Sequence, residues 1–106
     1  MNFDINETLA GMLGIIKTNV GDSWNEVKSV ANQFMQNRKE RLALLADMRI
    51  NNKIDDDDLK EYLADEKTLL ESELHAIAVI TKVIAENATN AALDFLFTAI
   101  KAAIKI

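Results

Sequence analysis

The sequence contains no cysteine and no proline, and it has only three glycines and six aromatic residues among 106 positions. Without cysteine there is no disulfide framework, no thiolate metal site and no cysteine nucleophile. Without proline and with so little glycine, the chain lacks the turn residues that β-rich folds need. Apolar residues still make up 49% of the chain. We therefore predict one all-helical domain over residues 1–106, with a core of Ala, Leu, Ile and Val.

Basic side chains are fewer than acidic ones, 12 against 17, and the net charge is −5. This argues against nucleic-acid binding, which usually requires a basic face. Residues 1–53 carry seven basic and six acidic side chains, whereas residues 54–106 carry five basic and eleven acidic ones. The two halves therefore have net charges of +1 and −6, and these opposite signs favour two arms that pair with each other. The first basic residue is Lys17, so a positively charged signal-peptide start is missing and we expect a cytoplasmic protein.

Capping signals predict four helices. The capping-box pattern that begins at Asp4 and a glycine at Gly21 frame a first helix over about 5–20. A second box begins at Ser23 and predicts a helix over about 24–50. Asn51 and Asn52 tolerate the left-handed backbone of a turn, and four aspartates then suit a helix N-terminus. That third helix is predicted over about 56–86 and a fourth over about 91–105; the sequence leaves open whether residues 20–23 and 87–90 break or only bend the helices.

The second and third helices are predicted to form a long antiparallel hairpin with a coiled-coil seam. In an antiparallel pair, the numbers of facing residues add up to a constant. A sum of 107 sets Leu44 against Leu63, and it also sets Arg49 against Asp58 and Arg41 against Glu66. The two short apolar helices flank the hairpin. The expected architecture is a four-helix or oligomeric bundle with an apolar base and a charged tip.

No residue pattern predicts catalysis, a cofactor or a metal. His75 is the single histidine, and neither a glycine-rich phosphate loop nor a nucleophile motif is present, so we expect a non-enzymatic protein. The segment from Asp47 to Asp58 resembles an EF-hand calcium loop at its central isoleucine and in the helix that follows. It departs from that pattern at Arg49, where an oxygen ligand belongs, and at Asn52, where glycine belongs. A turn followed by a capped helix is the favoured interpretation.

The terminal helices carry more apolar surface than a hairpin can cover. We predict that they meet each other and a second copy of the chain, with an oligomer interface at Leu13, Ile16, Phe95, Leu96 and Ile100. The alternative is that these helices lie on a lipid bilayer, which makes the protein membrane-active or peripheral.

The predicted function is that of a helical protein-interaction module with itself and another protein as partners. It would serve as a homo-oligomeric scaffold, an adaptor or a small acidic inhibitor. The predicted partner-binding acidic surface comprises Asp55, Asp56, Asp57, Asp58, Glu61 and Asp65.

Overall fold

The computed structural model describes residues 3–104, and within them every regular element is helical, so the predicted all-α fold is confirmed. One hydrophobic core takes side chains from all four α-helices. The elements are α1 (Ile5–Val20), a 3₁₀ turn (Gly21–Ser23), α2 (Trp24–Ile50), α3 (Asp56–His75) and α4 (Lys82–Ala103).

The short turn at Gly21 reverses the chain between α1 and α2. α1, the 3₁₀ turn and α2 follow one another directly, so that every residue from 5 to 50 is in a helical element. A straight α-helix of that length would measure about 69 Å at about 1.5 Å per residue. The longest dimension of the molecule is only 43 Å. Gly21 has a φ of 56°, and its N–H donates to the carbonyl of Lys17. Because this positive φ favours glycine over residues with a side chain, residues 20–23 break the helix.

Each helix runs antiparallel to its neighbours in the bundle. The start of α1 lies beside Leu44 near the end of α2, and Arg38 of α2 pairs with Glu66 of α3. Phe95, in the second half of α4, lies over Gly11 in the first half of α1. The order is up, down, up, down, with α4 packed against both α1 and α3.

The terminal helices lie alongside the hairpin, so the predicted apolar base and separate charged tip are wrong. Lys101 near the end of α4 donates a hydrogen bond to Asp56 at the start of α3. Both described ends of the chain therefore lie at the same end of the bundle as the α2–α3 loop. The reversal at Gly21 places α1 alongside the hairpin. The early end of α3 does the same for α4.

The predicted bounds of the first two helices are confirmed, but those of the last two are wrong. α3 ends at His75 rather than near residue 86, and α4 runs from Lys82 to Ala103 rather than from 91 to 105; residue 105 lies outside the described residues. Residues 87–90 do not break the helix, because they lie inside α4. The predicted capping role of Ser23 is also wrong, since its side chain makes no capping hydrogen bond and the 3₁₀ turn leads directly into α2.

Thr81 explains why the break falls earlier. Its hydroxyl accepts a hydrogen bond from the backbone N–H of Ile84 at 3.2 Å, which caps the start of α4. Before it, the N–H of Ile80 donates to the carbonyl of Ile77 at 3.0 Å, and the side chain of Ile80 is buried. Burial of these apolar side chains thus holds a turn that contains neither glycine nor proline.

The predicted α2–α3 register is also wrong, by less than one helical turn. Arg49 pairs with Asp56 rather than Asp58, and Glu66 pairs with Arg38 rather than Arg41. Leu44, which was expected to face Leu63, is 49% exposed. The reason is that α2 packs against both α1 and α3, so its apolar residues are divided between two neighbours.

The α2–α3 loop follows its sequence signals. Asn52 adopts a φ of 59°, as the Asn-Asn turn predicts. The side chain of Asp55 accepts from the N–H of Asp58 at 2.8 Å, and the Asp58 side chain accepts from the N–H of Asp55 at 3.2 Å. This reciprocal capping box fixes the start of α3.

A two-point ion pair joins α2 to α3. Arg38 donates from Nε to Oε1 of Glu66 at 2.8 Å and from a terminal nitrogen to Oε2. Glu66 is 2% exposed, whereas the side chain of Arg38 is 32% exposed. The hydrogen bond to Glu66 raises the pKa of Arg38. Such a planar fork fixes orientation as well as charge balance.

Removing Arg38 should destabilise the protein more than removing Glu66. Arg38→Leu leaves a buried carboxylate without its partner, and we expect a loss of about 3 kcal/mol in the free energy of unfolding. Glu66→Leu should cost less, because the partly exposed guanidinium can return to water. Urea unfolding of both variants measures the difference, and equal losses would contradict this account.

Phe95 packs closely over Gly11 where α4 meets α1. A Cβ added at Gly11 would lie 2.5 Å from Cζ of Phe95, whereas a Cβ added at Gly14 would have no neighbour within 4 Å. Of these two glycines, Gly11 alone has another helix in close contact, and that helix is α4 of the same chain.

The two glycines offer a matched pair of variants. Because alanine is the better helix former, Gly14→Ala should raise the free energy of unfolding by about 0.5–1 kcal/mol. Gly11→Ala should stabilise less than Gly14→Ala or not at all, because the new methyl group displaces the Phe95 ring. Chemical unfolding reports both values. Equal stabilisation by the two substitutions would show that this contact is unimportant.

Candidate functional site

The residues predicted for an oligomer interface are divided between core and surface. Ile16, Leu96 and Ile100 are fully buried inside the single chain, so a second copy cannot contact them in this fold. This part of the prediction is corrected, because α1 and α4 cover each other. Leu13 is half-buried and Phe95 is 37% exposed, and these two stay candidates for an intermolecular contact.

The predicted acidic surface contains carboxylates with three different roles. Asp55 and Asp58 form the capping box, and Asp56 is held by two cations. Asp57, Glu61 and Asp65 are exposed and lie four residues apart along α3, which places them on one face of the helix. Within residues 3–104 none of these three forms an ion pair. We call them the acidic row.

Asp56 joins three helices. Its Oδ1 accepts from Nε of Arg49 on α2 at 2.7 Å, and its Oδ2 accepts from Nζ of Lys101 on α4. The Lys101 hydrogen bond, followed by the Arg49 hydrogen bond, lowers the pKa of Asp56 below its ordinary value. The carboxylate therefore stays ionised through the mildly acidic range and links α2, α3 and α4.

The contribution of Asp56 to stability should depend on pH. Its folded pKa is lower than its unfolded pKa. Since the unfolded value is about 3.9, the contribution is complete above about pH 5 and is lost as the pH falls through the folded value. Asp56→Asn should be less stable than the parent at pH 7, and the difference should shrink near pH 3. Urea unfolding at several pH values measures it.

Asp94→Asn is the control for that experiment. Asp94 is an exposed carboxylate whose Oδ1 lies 3.7 Å from Nζ of Lys67. Exposed pairs of this kind contribute little to stability. The effect of Asp94→Asn should therefore be small at every pH. A cost of Asp56→Asn that is the same at pH 7 and pH 3 would contradict the assignment.

Negative charge is concentrated at the end of the bundle that contains the α2–α3 loop. We call residues 3–7, 40–61 and 99–104 the acidic end. It has nine acidic and five basic side chains, a net charge of −4, out of −6 for residues 3–104. The other described residues carry eight acidic and six basic side chains, a net charge of −2. The charge asymmetry along the chain becomes an asymmetry between the two ends of the bundle.

Two apolar grooves open at the acidic end, one on each side of the start of α1, and they share Phe3. The groove between α1 and α4 has a volume of about 310 Å³, and the groove between α1 and α2 has a volume of about 410 Å³. The α1–α4 groove is lined by Phe3, Asp4, Glu7, Thr8, Phe95, Ala99, Ala102 and Ala103. The α1–α2 groove is lined by Phe3, Ile5, Glu40, Ala43, Leu44 and Asp47. Among residues 3–104, the charged side chains in both linings are all carboxylates.

Sequence reasoning missed these grooves, although it had selected Phe95 for an oligomer interface. Phe3 directly precedes the N-cap Asp4, which is one of the two positions of a hydrophobic staple, but the partner position is Thr8, so the sequence carries only half of that signal. Leu44 was expected in the seam between α2 and α3. No sequence signal relates Glu40 and Asp47 to Phe3, because only the reversal at Gly21 brings α1 beside the end of α2.

Candidate metal-binding groups and membrane-spanning helices are both missing from the part of the chain that the structure describes. In residues 3–104, no group of three histidine or acidic side chains is placed to hold a metal. In the segment that resembles a calcium loop, Asp55 and Asp58 cap a helix, and Asp56 is bound to Arg49 and Lys101. No described helix combines the length and apolarity needed to cross a bilayer.

Comparisons with protein-family models, curated proteins and solved structures found no match for this chain. Geometry and charge are therefore the observations from which a function can be inferred. The acidic end contains the two grooves beside α1 and, on α3, Asp57 and Glu61 of the acidic row. It carries most of the net negative charge of the described residues.

Proposed function

We propose that this protein is a cytoplasmic, non-enzymatic interaction module that binds a basic surface of another protein at its acidic end. The observation that carries the proposal is the concentration of a net charge of −4 at one end of the bundle. Such a concentrated charge attracts a partner of opposite sign and raises the rate of encounter. An adaptor and a small inhibitor both work in this way.

The acidic row gives the proposal an energetic basis. It contains two pairs of like charges four residues apart, Asp57 with Glu61 and Glu61 with Asp65. Each such pair destabilises a helix by about 0.2 to about 0.5 kcal/mol. No cation within the described residues pairs with them. A partner that supplies lysine or arginine here relieves this repulsion on binding, so the bound state gains what the free state loses.

Self-association and lipid binding have less support. The terminal helices cover each other within one chain, so the need for a second copy that their apolar surface suggested is largely met. Two acidic ends brought together would also repel. Anionic membrane surfaces attract basic segments, and a net charge of −4 opposes such an approach. A protein partner with a basic surface therefore agrees best with the charge distribution.

The test compares two variants with the same change in net charge. Asp57→Asn/Glu61→Gln neutralises two carboxylates of the acidic row. Asp22→Asn/Glu26→Gln neutralises two at the opposite end, where Asp22 and Glu26 are also exposed. Parent and variants serve as bait in affinity co-purification from the native cell, with quantitative mass spectrometry and a salt series.

We expect Asp57→Asn/Glu61→Gln to lose at least one basic protein that the parent and Asp22→Asn/Glu26→Gln both retain. The retained protein should dissociate as ionic strength rises, because exposed charge pairs are screened. Identical sets of bound proteins for all three baits would contradict the proposal.

A further inference from the structure

The grooves at the acidic end combine apolar walls with a negatively charged rim. Phe3 separates them and is partly buried against the core. Asp4 and Glu7 border the α1–α4 groove, and Glu40 and Asp47 border the α1–α2 groove. These four carboxylates are exposed and form no ion pairs within residues 3–104.

We propose that the paired grooves bind a cationic amphipathic segment of a partner protein, with one apolar side chain of the segment in each groove. Lysine or arginine residues next to these anchors would lie against the four rim carboxylates. This inference rests on the proposed function and specifies the chemistry of the partner. Its basis is the charge complementarity between the four carboxylates that the described residues place on the rim and a basic segment.

The grooves expose apolar side chains next to the carboxylates of the rim, and this combination favours an amphipathic segment over a uniformly basic one. Leu44 is 49% exposed at one groove and Phe95 is 37% exposed at the other, so each groove presents apolar area that a bound side chain would cover. A uniformly basic chain would gain only charge contacts there, and water would weaken them. Short segments with spaced apolar anchors bind grooves of this kind on helical proteins.

Charge argues against a second copy of this chain as the occupant. A twofold contact at the grooves would bring the four rim carboxylates of one copy towards those of the other, and like charges across an interface oppose association. The same four carboxylates disfavour an anionic lipid surface. A basic segment satisfies both the apolar walls and the rim.

The experiment uses the full chain of 106 residues and a defined probe. The probe is a 14-residue helical peptide of leucine and lysine with its leucines on one face, and a matched peptide has serine in place of leucine. Binding is measured by calorimetry, and the contact surface is located by amide NMR shifts. The protein variants are Leu44→Ser, at the α1–α2 groove, and the control Leu69→Ser, which changes a 43% exposed leucine on α3 outside both grooves.

We expect the leucine–lysine peptide to shift amides around Phe3, Leu44 and Phe95. Leu44→Ser should weaken binding about tenfold, the effect of losing one well-covered apolar contact, whereas Leu69→Ser should leave it unchanged. The serine–lysine peptide should bind weakly and equally to all proteins. Ala102→Gln, which fills part of the α1–α4 groove from an exposed position, is a second variant that should also weaken binding.

Equal binding by the parent, Leu44→Ser and Ala102→Gln would overturn the inference. So would a dimer of the parent in sedimentation that Leu44→Ser dissolves, because the occupant would then be a second copy. The two proposals can fail separately. Suppose that Asp57→Asn/Glu61→Gln loses its basic partner in co-purification, whereas Leu44→Ser and Ala102→Gln bind the leucine–lysine peptide as well as the parent does. The proposed function then stands and the amphipathic segment is rejected.

Discussion

The reversal of the chain at Gly21 is the constraint on which the remaining packing depends. A residue with a side chain resists the positive φ found there, and an uninterrupted helix would carry α1 away from the core. Because the chain turns back, α1 lies along α2 and offers its other side to α4. The Phe95 contact with Gly11 and the burial of Ile16 and Leu96 both follow from that position.

The same reversal gathers negative charge. It brings the acidic start of α1 beside the end of α2 and the aspartates of the loop, where a bundle of separate helices would have spread them apart. Arg49 and Lys101 offset part of this charge by holding Asp56 between three helices. The carboxylates left over are those of the acidic row and the groove rims. Structural ion pairing and the proposed binding surface thus share one end of the molecule.

The parts of the fold that depend on local chemistry could be predicted from the sequence. The starts at Ile5 and Asp56 follow from side-chain capping within a few residues, and the break before Trp24 follows from Gly21. The end of α3 could not be predicted, because the turn before Thr81 is held by burial of apolar side chains and has no local breaker. The polar segment 87–90 suggested a break, yet it is buried in mid-helix at Thr89. The grooves required a knowledge of which helices are neighbours, and periodicity does not supply it.

The close packing of the first and last helices also bears on how quickly the molecule can assemble. Gly11 and Phe95, which meet in the bundle, are separated by most of the chain. Closing a loop of that length costs about 4 kcal/mol of entropy. The other main helix pairings join sequence neighbours and form at lower entropic cost. Among the main helix pairings of the described chain, the contact between α1 and α4 therefore carries the largest loop-closure cost.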